Sequence, residues 1–485
     1  MLGARGNAIV PMALLSWVPL VLWAFSRFEP RKAAAGAFVI GWMFLPEATI
    51  PIPGLPDFTK MFASCVGVLL GAFIFDRKNL LAVRLSVVDI PMILWCTCPL
   101  LSSLANGLGA YDGMSESLQS IITWGLPYFV AKVYFADREG LTILALAIFI
   151  GGIIYIPFCF IEMAISPQLH RMTYGFSQAN ILQSMRAGGF RPVVYMQHGL
   201  MVAMWMVSSA FIGIWFYYAK LLPEKLLFLP TKLFIPAVLF TTLLMKSTGA
   251  LGLFILGLAA LFSAQRFKVP IIMIILLMIP PAYMISRSTD YWDGRNLSSF
   301  VEEKFSADRA QSLQFRFDNE YLLIDKAMAG SFFGWGGWGR SRVYDDDGRD
   351  ITITDGLWII TMGTRGIYGI ILMSLTIVMP MLLLLIKVPL KQWATPRYAA
   401  ASVFATLLTI YMVDNLLNAM VNPIFMLFNG GINGMLMQEI SETETEVSLD
   451  LESGTTLQPV PATRLLGDFS MSHSFPTRLI GGNNK

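Results

Sequence analysis

Two groups of residues hold most of the chemistry open to this 485-residue chain. The first is Arg186-Ala187-Gly188-Gly189-Phe190-Arg191-Pro192, two arginines flanking a Gly-Gly pair. A guanidinium grips phosphate oxygens through paired N–H donors. Glycines let backbone N–H groups approach the same anion. A phosphorylated ligand suits this spacing, and an ordinary turn with interfacial arginines is the plain alternative. The second group lies in a long polar stretch, 286–355, that supplies Arg309, Arg316, Asp318, Glu320, Trp335, Trp338, Asp345-Asp346-Asp347 and finally Asp355. If its centre is helical, Arg316 and Glu320 stand i,i+4, and a structural ion pair accounts for them. Asp355 precedes an apolar run, beside Gly356 and Trp358. Partial desolvation there raises a carboxylate's pKa and suits it to accept a proton. The competing account is a helix N-cap formed by Thr354 or Asp355.

Other polar residues are weaker candidates. Asp345-Asp346-Asp347-Gly348 lacks the alternating ligand spacing of a calcium loop, and a solvated turn fits better. Asp414, Asn418 and Asn422 follow an i, i+4, i+8 pattern that reads as a polar helix stripe, serving function or interhelical hydrogen bonding. Glu162 falls near the end of an apolar run. His170 and His198 have no partner ligands nearby in sequence. Cys65, Cys96, Cys98 and Cys159 all sit inside apolar segments as small buried side chains. No metal or cofactor site is expected from these residues, and nothing points to nucleic acid.

The elements that must position these groups are hydrocarbon-like. With 55% hydrophobic and 14% charged residues, the chain lies far from soluble averages. Apolar runs of about 16–24 residues recur, each long enough to cross or nearly cross a bilayer. They predict an all-α polytopic membrane protein of about 12–13 transmembrane helices with one large extracytoplasmic loop. Candidate spans are 8–26, 33–47, 59–75, 88–105, 116–136, 141–162, 195–218, 232–245, 249–264, 270–285, 357–386, 399–421 and 423–438. Met1–Phe25 reads as a retained first span rather than a signal peptide. Every second short loop is basic, as at Arg27, Arg31 and Lys32 or Lys220 and Lys225, and should face the cytoplasm. The bundle is expected over 1–438, including outward loops 163–194 and 286–355, with a disordered cytoplasmic tail over 439–485. Those two loops and the Lys246-Ser247-Thr248-Gly249 hairpin are basic against the insertion bias, which suggests a function there.

Several short motifs, in order, resemble the O-antigen ligase and O-antigen polymerase superfamily of bacterial envelopes. Arg186–Arg191 resembles its Arg-x-x-Gly-Phe element, and Lys246-Ser247-Thr248-Gly249-Ala250 its Ser-Arg-Gly hairpin. Gln314-Phe315-Arg316 stands where the large loop supplies a second arginine, and Phe333-Gly334-Trp335-Gly336 is similar to the Phe-Gly-x-Gly turn. Thr354-Asp355-Gly356-Leu357-Trp358 with Gly363-Thr364-Arg365-Gly366 resembles the His-Asn-x-(Tyr/Phe) plus Gly-x-x-Gly junction. Asp355 replaces the ligase His, which favours a polymerase, and Thr248 replaces the hairpin Arg. The likeness covers roughly residues 160–436. It implies a metal-independent glycosyltransferase in the bacterial cytoplasmic membrane, acting in surface or exopolysaccharide assembly. The partners it implies are a polyprenyl diphosphate-linked oligosaccharide, membrane lipids and a chain-length regulator. Asp355, Arg186 and Arg316 would be catalytic, and Arg191, Lys246, Arg309, Glu320, Trp335 and Trp338 would bind substrate. A ligase moving finished glycan to a lipid or protein acceptor, and a lipid-linked glycan transporter, are the alternatives.

Overall fold

The computed structural model describes residues 6–452 apart from 55, 187, 227, 305, 306 and 338, and omits the side chains of 181, 182, 186 and 441–452. The described chain is mostly helical, and a helix stands at every stretch read as a span. Among the described residues, seven helices are long and apolar enough, by length and composition, to cross a membrane: Ile9–Arg27, Val87–Ala105, Arg138–Ile165, Gly199–Tyr218, Thr248–Phe267, Ile271–Ser288 and Leu357–Lys387. Lys60–Phe75, Thr231–Leu244 and Ala399–Asp414 are shorter apolar helices.

Helix Gly199–Tyr218 lies at the centre, buried almost all round, as its continuous apolar sequence requires. Small residues bring its neighbours close. A β-carbon on Gly152 of Arg138–Ile165 would overlap the Ser209 side chain, so these two backbones pack at short range. Trp215 donates its indole N–H to Ser402 Oγ at 3.0 Å, joining the end of Gly199–Tyr218 to the start of Ala399–Asp414. The opposite ends of this pair, at His198 and Asp414, therefore share one end of the bundle.

Local chemistry fixes the helix ends. Asp137 caps Arg138–Ile165 by accepting from Gly140 N at 2.8 Å, and Thr59 caps Lys60–Phe75 through Phe62 N at 3.2 Å. The stretch 110–134 is one rod with a π-helical turn, Ile121–Gly125, in its middle.

Three stretches differ in detail from what apolar length alone conveys. The 286–355 stretch holds two helices, Arg295–Lys304 and Ala307–Met328. In the second of these Ala310, Phe317, Glu320, Ile324 and Ala327 form one buried stripe, the helical period that a polar composition conceals. Helix Ile424–Glu452 runs on past 438 into the first residues of the expected tail. The remainder of the expected tail, 453–485, is outside the described residues. Finally, the apolar run 399–421 is helical only to Asp414. Residues 415–423 form an irregular connection, so Asp414, Asn418 and Asn422 do not share a helix face.

Candidate functional site

Arg316 projects from helix Ala307–Met328 and meets Asp355, its Nε 3.3 Å from Asp355 Oδ2. Its Nη1 donates to the Leu417 carbonyl at 3.1 Å and to Asn418 Oδ1 at 3.2 Å. Among the described residues no acceptor bonds Nη2. The guanidinium is thus held on two edges and open on the third, its side chain 27% exposed.

Asp355 lies in the segment leading into Leu357–Lys387. The N-cap position of that helix is Gly356, and no side chain caps it. The first helical N–H, of Leu357, donates instead to the backbone carbonyls of Asn415 at 2.9 Å and Asn418 at 3.3 Å. The Thr354 hydroxyl accepts from Arg342 Nη2 at 3.3 Å. The capping account of Asp355 is therefore wrong, because the 415–423 connection does that work. Asp355 is left with Arg316 as its protein partner. Burial raises its carboxyl above the ordinary aspartate value, and Arg316 pulls it part of the way back. A half-exposed carboxylate with one free oxygen can take a proton from a ligand.

A cavity of about 520 Å³ opens alongside, lined by Arg342, Ile353, Thr354, Leu357, Ile360, Ala419 and Val421. Its wall is mostly apolar, with Arg342 as the charged member. Arg342 is bound to the loop itself, to Asp350 Oδ2 at 2.8 Å and to the Thr352 carbonyl at 2.7 Å.

Glu320 stands under this site. It is 4% exposed and pairs with Arg287 Nε at 2.8 Å, not with Arg316. Tyr283 OH donates to its carboxylate at 2.9 Å and Trp358 Nε1 at 3.1 Å. With both oxygens engaged, Glu320 ties helix Ile271–Ser288 to Ala307–Met328 and to the start of Leu357–Lys387. Sequence spacing missed Arg287, which sits in the last turn of an apolar helix. Breaking a buried pair by removing one charge typically costs about 3–5 kcal/mol. Glu320→Gln is accordingly expected to lower the thermal unfolding midpoint of the detergent-purified protein. An unchanged midpoint with lost ligand binding would return Glu320 to the substrate.

The Gly/Trp turn docks on a broken helix. Within Leu357–Lys387, Gly366 has φ 67° and ψ −164°, a conformation open to glycine, and the helix axis breaks there. A β-carbon on Gly366 would overlap the Phe332 carbonyl, so the two backbones need this glycine to meet. Trp335 N donates to the Gly363 carbonyl at 2.9 Å and Gly336 N to that of Thr364 at 3.0 Å. Asn106 Nδ2 holds the Gly334 carbonyl at 2.7 Å from helix Ile90–Ala105. The Trp335 indole donates to the Lys326 carbonyl at 2.7 Å, and the Lys326 ammonium lies 4.2 Å from its ring. That partly buried ring works first as a packing element. Trp338 lies outside the described residues, and Arg309 is exposed two turns before Arg316.

A second cationic group forms at the same end of the bundle. Met185–Arg186 pairs antiparallel with Gly189–Phe190 in a tight hairpin, its turn at Gly188 with φ 69°. The Lys246 ammonium packs so closely on Gly189 that a β-carbon there would overlap it. Arg191 Nη2 donates to the Lys246 carbonyl at 2.8 Å. Glu162 anchors the strap that follows, Oε2 accepting from Val193 N at 2.8 Å and Val194 N at 2.7 Å. Its part is structural. The hairpin places the Arg186 backbone opposite Gly189, beside Lys246, and its side chain is not among those described.

The acidic run Asp345-Asp346-Asp347 is a turn, in which Asp345 Oδ1 accepts from Asp347 N at 3.0 Å and Arg349 N at 2.8 Å. Among the described residues no group of three or more His, Cys, Asp or Glu is placed to hold a metal ion. Set beside known proteins, the chain matches no protein-family model and no curated sequence.

Proposed function

We propose that this chain is a membrane glycosyltransferase of the O-antigen polymerase kind, moving a glycan from a polyprenyl diphosphate to a sugar hydroxyl. The observation that carries the reading is the Arg316–Asp355 pair, open on one guanidinium edge and one carboxylate oxygen beside an apolar cavity. The acceptor oxygen bonds to the anomeric carbon as the carbon–oxygen bond to the diphosphate breaks, and that electron pair leaves on the diphosphate. The acceptor proton passes to Asp355. Arg316 faces the growing negative charge, as fixed cations do at other developing anions. Arg191 and Lys246 form a second phosphate-attracting group, and the apolar cavity suits the first isoprene units of the carrier. Guanidinium charge takes the part a divalent cation plays in other diphosphate chemistry.

Placement of charge favours an enzyme over a transporter. Transporters gather polar groups at mid-membrane. Here the Arg316–Asp355 pair and the Arg191–Lys246 contact collect at one end of the bundle. If all of the expected spans cross the membrane, with 110–134 as one rod, both groups fall on the side away from the basic short loops. That side is the outer face of the bacterial cytoplasmic membrane, where a chain-length regulator would meet the protein. A periplasmic-type reporter fused after Ser299 should then be active, and one fused after Lys225 silent. The reverse at either site removes the assignment. The direct test is purified protein given a polyprenyl diphosphate oligosaccharide, scored for longer glycans with and without a chelator. Absence of any transfer product overturns the proposal, and loss of product with chelator overturns its metal-free form.

A further inference from the structure

We infer that Asp414 is a positioning residue, setting the orientation of the Arg316 guanidinium through Asn418. The inference rests on the reading that Arg316 binds a phosphate anion. Asp414 ends helix Ala399–Asp414 and is 7% exposed. Its Oδ1 accepts from Asn418 Nδ2 at 2.9 Å. An ionised carboxylate accepts and does not donate, so it takes the NH2 side of the amide and turns the carbonyl side away. That carbonyl oxygen, Asn418 Oδ1, meets Arg316 Nη1 at 3.2 Å. The Leu417 carbonyl accepts from the same nitrogen at 3.1 Å, and Asp355 faces Nε at 3.3 Å. Together these acceptors fix the plane of the guanidinium and leave Nη2 pointing at no protein group among those described.

Stability alone does not account for Asp414. Its other oxygen, Oδ2, is buried and has no hydrogen-bond partner. A buried carboxylate costs free energy unless it is well bonded, and one amide is a poor return for it. A connection that only needed tying down has other means. Leu357 N already clamps the carbonyls of Asn415 and Asn418, and Asn422 Oδ1 holds Ile424 N at 3.1 Å. What the carboxylate adds is direction. Without it the Asn418 amide is free to turn its NH2 toward Arg316, setting donor against donor.

The probe is inorganic diphosphate, and separately a short-chain polyprenyl diphosphate, titrated against the full-length purified protein. Asp414→Ala and Asn418→Ala are each expected to weaken binding on the order of tenfold. In an Arg316→Ala background the Asp414 change should weaken it no further, because its effect runs through that guanidinium. Full additivity in the double variant overturns the relay and makes Asp414 structural, as does unchanged affinity in folded Asn418→Ala. Asn418→Ala breaks the same chain of contacts without touching the buried acid, so the test survives a misfolded Asp414 variant. If Arg316→Ala itself leaves diphosphate affinity unchanged, the anion-binding reading fails, a result distinct from failure of the relay.

Discussion

Asp355→Asn should lose on the order of 10²–10⁴-fold in turnover, the usual worth of a general base, while the protein stays folded and still binds a polyprenyl diphosphate. The two side chains have the same shape, but an amide has no proton affinity near neutral pH. Because Gly356 occupies the cap position and the Asn415 and Asn418 carbonyls take the first N–H, the helix start loses nothing in the exchange. The pH profile adds a second signature. A base works deprotonated, so activity falls as pH drops through its folded pKa. Burial holds that pKa above the ordinary aspartate value, with Arg316 opposing, so the acid limb should lie higher than for an exposed aspartate. Asp355→His should retain part of the rate and move the limb toward the imidazole value of about 6.5. Initial rates across pH with a lipid-linked oligosaccharide decide the matter. Near wild-type rates in the Asn variant would end the role of Asp355 as base, and Asp318, an exposed acid on the helix that carries Arg316, would be next in line.

Apolar length told where the helices stand, because one hydrocarbon-sized run needs no partner to be recognised. It failed where the partner decides. Arg316 and Glu320 are sequence neighbours on one helix, yet each pairs elsewhere, with Asp355 and Arg287 respectively. Both of those partners come from other segments, and a one-dimensional reading cannot see across the fold. The run 399–421 is apolar enough to continue as a helix past Asp414. Past it the chain tightens, Leu416 N bonding the Val413 carbonyl, and then turns irregular, leaving the carbonyls of Asn415, Leu417 and Asn418 to meet Leu357 N and Arg316. The buried stripe of Ala307–Met328 was present in the sequence at helical spacing. It was hidden by the charges around it, such as Arg309, Arg316, Asp318 and Lys326. Of the site itself, the residue types at 316 and 355 were legible, and their contact was not.

Arg316→Ala should remove the other half of that contact and lower the rate by about 10²–10³-fold, the loss seen when one preorganised donor to a developing oxyanion is deleted. Two consequences separate this role from lipid snorkelling. The first is that lysine should rescue poorly. The guanidinium here is held in two directions, with Nε toward Asp355 and Nη1 toward Leu417 and Asn418, while Nη2 bonds no group among the described residues. An ammonium on a flexible stem supplies the charge without that fixed fork. The second concerns protons. Arg316 is the group that lowers the Asp355 carboxyl against the effect of burial, so deleting it should raise that pKa further and carry the acid limb of the residual activity to higher pH. A snorkelling arginine would move neither the rate nor the limb. Wild-type product from the lysine variant, with its pH profile unshifted, would therefore dissolve the Arg316–Asp355 site as a catalytic unit.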